Sequence, residues 1–316
     1  MGQMQRLASR YRLVDFDAVD NIMDHRYIET LCRPLANGRL DYRIFYQVKA
    51  NLRLEQLRTM AKAGIRAVQP GIESLNSHLL ALMRKGVTML QNVRCIKWAH
   101  YCGLHVSWNI LTGFPGETDE DYQEQLDVIG LVRHLPPPSA CGRIWLERFS
   151  PYFFDRISFP IDKIRPLDAY QHIYPSEEFD LERIAYFFDY EMGDTVSEAC
   201  RAELSQQVDD WKAAWMRPRK PELVYQRAPD WIQILDRRDG ELLTHSFDGF
   251  EAAIYEFCGE TDRTETQVRE ELELSHSVTA QPTAIRATLE KFCALGLMLT
   301  EDGRYLSLAL PANPNW

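Results

Sequence analysis

Long apolar runs are absent from this sequence of 316 residues. No stretch approaches the roughly 20 consecutive apolar residues that a membrane-spanning helix requires, and the N-terminal segment lacks the apolar core of a signal peptide. We therefore expect a cytoplasmic protein without a membrane partner. Hydrophobic residues make up 45% and charged residues 26% of the chain, which is typical of a globular protein about two domains long.

Basic residues are also fewer than acidic residues in this sequence. The 36 Lys and Arg residues face 46 Asp and Glu residues, which leaves a formal net charge of −10. Such a chain does not attract nucleic acid or an anionic membrane as a whole. We expect no nucleic-acid partner unless a local basic patch supplies one.

Clustered cysteines are absent as well. The seven cysteines are scattered and odd in number, which suits reduced thiols better than a disulfide framework. They are Cys32, Cys95, Cys102, Cys141, Cys200, Cys258 and Cys293.

Strand-like and helix-like segments alternate through the first 150 residues. Strands are predicted at 12–18, 42–49, 65–72, 105–112 and 143–149. Helix starts are predicted at Asn51, at a Thr88/Gln91 capping box and at Thr118 with Asp121. This order is typical of βα units with parallel strands, which form an open sheet or a barrel.

Each predicted strand has one apolar face, as Ile44, Tyr46 and Val48 illustrate. An open sheet with one solvated side is one interpretation, but parallel sheets seldom leave a face uncovered. We therefore predict an α/β fold with a partial TIM-like barrel. Its polar residues are expected at the C-terminal strand ends, where barrel enzymes place their chemistry.

Three regions are predicted: the partial barrel at 1–150, a helical extension at 151–217 and a winged-helix-like α+β domain at 218–316. Prolines at 136–138 indicate an extended linker before the last barrel strand. The extension carries helical stretches around 181–188 and 195–216. The last region has strands at 224–227, 231–236 and 241–246, helices at 249–259, 264–272 and 283–295, and a final hairpin that turns at Asp302-Gly303.

Two loops carry the motifs for chemistry. In residues 69–74, Gly71 lets a ligand approach the backbone and Glu73 can bind an ammonium or hydroxyl group. Residues 113–118 form a rigid loop that runs into a helix N-terminus. The order of these two motifs along the chain, with residues 83–86 between them, is a more specific signal than either motif alone.

These stretches resemble the radical S-adenosylmethionine (SAM) superfamily, and closely its cobalamin-binding branch that matures ribosomally synthesised, modified peptides (RiPPs). The matching residues are 14–22, 46–52, 68–74, 83–87, 107–118, 148–152 and 185–190. The resemblance runs from about residue 10 to the C-terminus.

The resemblance implies a partial barrel that binds SAM beside a 4Fe-4S cluster and abstracts hydrogen from a peptide, with cobalamin delivering a methyl group. By motif position it implies SAM contacts from carboxylates, cations and polar groups at the strand ends. Taken singly, each charged residue fits a strand-end ion pair or a solvated charge equally well. The implied residues are Asp15, Lys49, Gln69, Gly71, Glu73, Arg84 and Asn109.

The sequence departs from this family at the cluster. Thiolates of a CxxxCxxC loop hold the irons in such enzymes, and no three cysteines here have that spacing. Cys95 and Cys102 are better interpreted as buried apolar residues than as cluster ligands. The chain also starts at the expected second barrel strand, without a cobalamin domain. We therefore expect a fragment, or a protein whose missing part comes from a separate chain.

The terminal region resembles the peptide-binding recognition elements of RiPP enzymes, in which a leader peptide adds a strand beside a helix. DNA binding is the competing interpretation, but the candidate recognition helix at 283–295 has only Arg286 and Lys291 against Glu290.

The first hypothesis is therefore the SAM-binding and recognition portion of a peptide-modifying radical SAM methyltransferase, inactive alone. The alternative is a non-catalytic module that binds a peptide or a partner. A barrel hydrolase using Asp15 and Glu73 lacks a clear nucleophile or base pair.

Overall fold

The computed structural model describes residues 1–155, 157–159, 161–175, 177–193, 195–275 and 281–314, which form a mixed α/β fold. Within these ranges, no helix combines the length and apolar character needed to cross a membrane.

Strands and helices alternate through the first 150 residues, as the sequence predicts. In chain order they are α1 Gly2–Tyr11, β1 Asp15–Asp17, a π-helical turn Ile28–Cys32, α2 Arg33–Asn37, β2 Arg43–Val48, α3 Leu54–Lys62, β3 Ile65–Pro70, α4 Ser77–Leu82, α5 Met89–Tyr101, β4 His105–Val106, β5 Asn109–Thr112, α6 Asp119–Val132, β6 Ala140–Arg143 and β7 Leu146–Glu147.

The strands up to β6 pair in parallel. Strands β1 to β4 form one sheet in sequence order, and β5 pairs with β6. The Leu111 amide donates to the Glu73 carbonyl at 2.9 Å, and this bond joins the end of β3 to β5. The carboxyl ends of β2 and β3 therefore lie beside the start of β5.

The predicted apolar face holds for β2 and in part for β1. Ile44, Tyr46 and Val48 are buried beneath the helices, while Arg43 is exposed on the other face. Phe16 in β1 is partly buried against the same core. Val14, just before β1, remains 39% exposed, because β1 pairs with β2 alone in the described part of the chain.

Two of the three predicted helix starts are confirmed. Capping boxes precede α5 at Thr88 and α6 at Thr118. The N-cap of α3 is Arg53 rather than Asn51, because the Gln56 side chain accepts from the Arg53 amide at 2.9 Å.

The fifth predicted strand was misplaced. The parallel strand is Ala140–Arg143, and β7 instead pairs antiparallel with a later strand. The apolar alternation of Ile144 and Leu146 serves a second, smaller hydrophobic core that includes Phe188.

The region 151–217 is not helical throughout. It contains α7 Pro151–Phe154, β8 Ile161–Pro166, α8 Ala169–Ile173, α9 Leu181–Ile184, β9 Phe187–Met192 and α10 Glu198–Trp215. The long helix near its end is confirmed, but the stretch predicted as helix at 181–188 turns into β9. Phe188, Tyr190 and Met192 are buried at every second position, which is a strand period.

The last region follows the predicted element order closely. Its elements are β10 Leu223–Ala228, β11 Trp231–Asp236, β12 Leu243–Asp248, α11 Gly249–Glu260, β13 Arg263–Thr264, α12 Glu265–Ser275, α13 Pro282–Ala294, β14 Met298–Glu301, β15 Arg304–Ser307 and β16 Leu310–Pro311. One sheet has the order β12-β11-β10-β16 and the other β13-β15-β14. Asp302 and Gly303 both have positive φ (50° and 69°) at the predicted hairpin turn.

Helix α5 joins this last region to the parallel sheet. The buried Lys97 donates to the carbonyls of Gly259 and Ser307 at 2.9 and 2.7 Å. Trp98 donates its ring N–H to the Glu260 carbonyl at 2.9 Å. The two regions thus share one continuous hydrophobic core.

Candidate functional site

A cavity of about 380 Å³ opens at the carboxyl ends of β2 and β3, beside the start of β5. Its walls carry amides, a carboxylate and an ammonium group over an apolar floor. The lining residues are Asn21, Ile22, Gln47, Val48, Gln69, Pro70, Gly71, Glu73, Lys85, Trp108 and Asn109.

Four of the seven residues expected to contact SAM line this cavity. They are Gln69, Gly71, Glu73 and Asn109. They meet here because alternate positions at the ends of neighbouring parallel strands face the same side of the sheet.

The other three residues are not part of its lining. Asp15 forms an exposed ion pair with Arg43, 2.6 Å between Oδ1 and Nε, and the hydrogen bond from this guanidinium lowers the pKa of Asp15. Lys49 is exposed just beyond β2, and Arg84 is exposed in a left-handed conformation (φ 55°). The structure therefore gives these three no place at the cavity.

Lys85 supplies the cation that the motif position had assigned to Arg84. Its Nζ lies 3.5 Å from the Glu73 Oε1, and both side chains are about three-quarters buried. Sequence reasoning missed Lys85 because the left-handed Arg84 reverses the chain after α4, a turn that no spacing rule reveals. It also passed over Gln47, although the polar face of β2 contains that residue.

Gly71 keeps this part of the cavity open. A Cβ atom at Gly71 would lie 3.0 Å from Lys85 Nζ and 3.7 Å from Glu73 Oε1. A side chain at this position would therefore crowd the ion pair and fill the space beside it.

Buried amide side chains fix the loop that carries Glu73, whose own φ is 60°. Asn92 donates to the carbonyls of Ile72 and Ser74 at 2.9 Å each. The Gln125 Oε1 accepts from the Ser74 hydroxyl and from the Leu75 amide, each at 2.7 Å. These bonds hold a left-handed residue in place, so the carboxylate is preorganised.

The loop at 113–118 is structural. The buried Glu117 carboxylate accepts from the amides of Gly113 and Phe114 at 2.9 and 3.1 Å, and from the Tyr122 hydroxyl at 3.1 Å. Burial and the Glu117 charge raise the pKa of Tyr122. This loop braces the cavity wall without lining it.

Aromatic residues reach the charged side of the cavity. Burial and the charge of Glu73 raise the pKa of Tyr152, whose ring packs edge-on against Phe114 at 6.0 Å between centroids. Tyr152 thus lies within electrostatic range of Glu73, although it is not part of the cavity lining.

The cysteines do not fit an iron–sulfur cluster. No three His, Cys, Asp or Glu side chains are grouped to hold a metal within the described ranges. Burial raises the pKa of most of the thiols above its usual range, which opposes the thiolate form that a cluster needs. Burial raises the thiol pKa to about 12 for Cys95 and Cys258, and to about 11 for Cys32, Cys102, Cys141 and Cys293.

The cavity residues do fit SAM. Glu73 matches an ammonium group, Lys85 matches a carboxylate, and Asn109 and Gln69 offer hydrogen bonds to hydroxyl groups. The space that Gly71 leaves open lies beside both charges. The donor set thus suits a zwitterionic ligand with a polar, ribose-like part.

Comparisons with known proteins agree with this chemistry. Residues 13–129 match the family model of the Radical SAM superfamily. Over 94 residues the chain is 30% identical to an uncharacterized methyltransferase, PH0819, of Pyrococcus horikoshii, covering 28% of this chain and 20% of that protein. The chain thus spans a fifth of the length of this curated relative.

Two radical SAM enzymes are among the solved structures that the comparison matched to this chain. The methyltransferase TsrM of Kitasatospora setae, with cobalamin and a [4Fe-4S] cluster bound, matches with a TM-score of 0.40 and 20% identity, over 46% of this chain and 30% of its own. Coproporphyrinogen III oxidase (HemN) of Escherichia coli matches with a TM-score of 0.40 and 11% identity, over 96% and 77%.

The match to the Radical SAM superfamily covers residues 13–129, and the residues that line the cavity described above all lie within this range. The relative with 30% identity over 94 residues is named a methyltransferase.

Proposed function

We propose that this chain is the SAM-binding and substrate-recognition portion of a radical SAM enzyme that C-methylates a ribosomally synthesised peptide. The observation that carries the proposal is that Gly71, Glu73, Lys85 and Asn109 line one cavity at the carboxyl ends of β2 and β3. A cytoplasmic location is part of the proposal.

The roles of the cavity residues follow from their charges. When bound, SAM supplies the methyl and adenosyl groups that the family's chemistry uses. Glu73 would hold its ammonium group and Lys85 its carboxylate, while Asn109 and Gln69 would hold hydroxyl groups of its ribose. Ligand binding separates the Glu73–Lys85 pair into two charge-assisted contacts with the zwitterion.

The chain is inactive alone in this proposal, because its own cysteines do not form a cluster site. A separate polypeptide would bring the CxxxCxxC thiolates and the cobalamin domain. Strand β1 offers the place for it, since its outer edge is unpaired in the described structure and Val14 beside it is exposed. A partner strand can extend the parallel sheet at this edge.

We expect Glu73→Gln to weaken SAM binding about 10- to 100-fold, because a charge-assisted hydrogen bond contributes roughly 1.5–3 kcal/mol. Isothermal titration of SAM into the purified full chain measures this change. Glu191→Gln is the matched control, since Glu191 forms an exposed ion pair with Lys163 away from the cavity; its affinity for SAM should equal that of the wild type.

Anaerobic addition of iron and sulfide to the same preparation is expected to give neither a cluster absorbance nor SAM cleavage. Cluster assembly with SAM cleavage by the chain alone would contradict the need for a partner. Equal SAM affinities of wild type and Glu73→Gln, or no measurable SAM binding by the wild type, would overturn the assignment of the cavity.

The last region is proposed to be a winged-helix-like element that binds the leader segment of the substrate peptide. The order α11, β13, α12, α13, β14, β15 supports this. Strand β12 is paired on one side only in the described structure, and Leu243 on it is 57% exposed. Helix α13 flanks this strand, because the rings of Phe247 and Phe292 pack at 4.9 Å.

The charges of this region do not favour DNA binding. Arg286 on α13 is paired with Glu265 at 2.9 Å, and Lys291 is paired with Glu251 at 2.9 Å. Both cations of the candidate recognition helix are therefore already neutralised, which leaves few charges for phosphates.

Leu243→Ser should weaken leader-peptide binding about 10-fold, because an added strand would bury this side chain and its burial contributes about 1.5 kcal/mol. The measurement is fluorescence anisotropy with the full chain and a labelled leader peptide of a candidate precursor. Leu274→Ser on α12 is the control, since Leu274 is 83% exposed on another surface. Equal losses in both variants, or no binding by the wild type, would contradict the docking site.

A further inference from the structure

The antiparallel sheet β7-β9-β8 has one buried face and one open face. Leu146, Phe188 and Tyr190 are buried in the smaller hydrophobic core. The alternate positions therefore point to the open face, and they include Trp145, just before β7, and Phe187 at the start of β9. The open face of an antiparallel sheet is ordinarily polar, so two aromatic rings there depart from the usual pattern.

Three aromatic rings meet on this open face. The Phe187 ring lies 5.3 Å from that of Trp145 and 5.0 Å from that of Tyr186, at interplanar angles of 87° and 83°. Trp145 is 72% exposed and Tyr186 is 43% exposed. Phe187 thus holds the other two rings in place, while both remain accessible to a ligand.

A carboxylate without a cation lies beside these rings. Glu147 is the cross-strand neighbour of Phe187, and its Oε2 accepts from the Tyr186 hydroxyl at 3.3 Å. The charge of Glu147 raises the pKa of Tyr186. Asp189 and Glu191, further along the same face, are paired with cations at 2.6 and 2.7 Å, whereas Glu147 has no ion-pair partner among the described residues.

The adjacent Arg148 is engaged elsewhere. Its guanidinium donates to the carbonyl of Ala185 at 2.6 Å and to that of Glu182, and it lies 4.9 Å from the centre of the Phe188 ring. Because Phe188 belongs to the buried face, this cation lies on the other side of the sheet from Glu147. The charge of Glu147 is therefore available to a ligand that approaches the open face.

The surrounding segment is acidic and presents further aromatic residues. Residues 145–191 contain ten acidic residues against five basic ones. Tyr170 joins α8 to the sheet, since its hydroxyl accepts from the amides of Tyr186 and Phe187 at 2.9 and 3.2 Å. Tyr174 and Phe179 are both exposed, with 5.5 Å between their ring centres. Charge complementarity favours a basic partner, and the extent of the aromatic surface favours a polypeptide over a small ion.

We propose that the open face, formed by Trp145, Glu147, Tyr186 and Phe187, docks an arginine side chain of a basic partner polypeptide. The guanidinium stacks on the Trp145 ring and donates in its plane to Glu147, which stands two positions further along the same face, about 7 Å away. A lysine ammonium is a strongly hydrated point charge that does not stack in this way. This docking surface does not depend on the function proposed above for the cavity.

The test is a ¹H–¹⁵N NMR titration of the full chain with three capped pentapeptides, Gly-Leu-Xaa-Leu-Gly, in which Xaa is arginine, lysine or citrulline. The arginine peptide is expected to shift the Trp145 ring N–H and the Phe187 amide with a Kd of about 5 mM or lower. The lysine peptide should bind at least about 3-fold more weakly, because it loses the stacked contact. The citrulline peptide should bind at least about 10-fold more weakly, because it keeps the planar shape without the charge.

Glu147→Gln should weaken binding of the arginine peptide about 10-fold, since it removes the charge but keeps an acceptor for Tyr186. Glu191→Gln is the matched control, because it removes the same charge about 13 Å along the strand from Phe187, beyond the screening length; its affinity should equal that of the wild type. Trp145→Leu, followed at the Phe187 amide, should weaken binding about 3- to 5-fold. Tyr11→Leu, which removes an exposed ring on α1, should leave the affinity unchanged.

Three results would overturn the proposal. No saturable shift with the arginine peptide, or equal affinities for the arginine and citrulline peptides, would remove the ionic contact. An equal affinity for the lysine peptide would remove the stacked guanidinium. Equal effects of Glu147→Gln and Glu191→Gln, or of Trp145→Leu and Tyr11→Leu, would show that the peptide binds elsewhere on the chain.

Discussion

Trp211→Ala is expected to lower the free energy of unfolding by about 4 kcal/mol, the middle of the range for truncating a buried aromatic side chain. Trp211 is fully buried on α10, and its ring packs edge-on against Trp108 at 5.9 Å. Its ring N–H also donates to the carbonyls of Arg133 and Leu135 at 3.0 and 2.9 Å. The variant therefore loses packing and a donor at once. Urea unfolding followed by circular dichroism measures the change.

Two controls separate these contributions. Trp211→Phe keeps most of the packing and loses the donor, so it should cost about 1–2 kcal/mol. Trp145→Ala should cost less than about 1 kcal/mol, because Trp145 is 72% exposed and contacts mainly the ring of Phe187. A Trp211→Ala value no larger than that of Trp145→Ala would show that α10 does not contribute to the core of the parallel sheet.

The stability of the wild type relative to Lys97→Met is expected to rise steeply between pH 7 and pH 10. Burial lowers the pKa of Lys97 to about 7, while an unfolded lysine keeps its usual value of about 10.4. Between these values the unfolded chain holds a proton that the folded chain has released, so raising the pH favours the folded state. Each pH unit contributes up to about 1.4 kcal/mol, or roughly 4 kcal/mol across the window, and below pH 7 the difference levels off.

Comparison of the two proteins isolates this lysine, because every other titrating group is common to both. The carbonyls of Gly259 and Ser307 lose their donor in Lys97→Met, but that loss is the same at every pH. Lys62→Met on the exposed side of α3 is the matched control and should run parallel to the wild type from pH 7 to pH 10. A Lys97→Met curve that also runs parallel would refute the low pKa of the buried ammonium.

About half of the candidate SAM site could be predicted from the sequence. Gln69, Gly71 and Glu73 stand at or just beyond the end of β3, and Asn109 stands at the start of β5 beside it, so strand order brings them together. Asp15 does not line the cavity, because its strand is an edge strand and Arg43 opposite it forms a local ion pair. The placement of the cavity residues depends on strand order alone, whereas the placement of the Asp15 side chain depends on a neighbour across the sheet.

The cation of the candidate site could not be predicted from the sequence alone. Positions 84 and 85 are an arginine and a lysine, and either could bind a carboxylate. The positive φ of Arg84 decides that Lys85 lines the cavity. A single backbone conformation of this kind follows from how α4 packs against the following chain, and the residue types themselves do not encode it.

The sequence by itself determined the order and type of most elements, the caps at Thr88 and Thr118, the turn at Asp302-Gly303 and the absence of a cluster motif, because each depends on residues a few positions apart. Only the tertiary structure decided that Ile144 belongs to a second core, that Lys97 reaches two distant carbonyls and that Trp145 lies beside Phe187 on an open sheet face. Those contacts join residues far apart in the chain, so packing rather than local periodicity selects them.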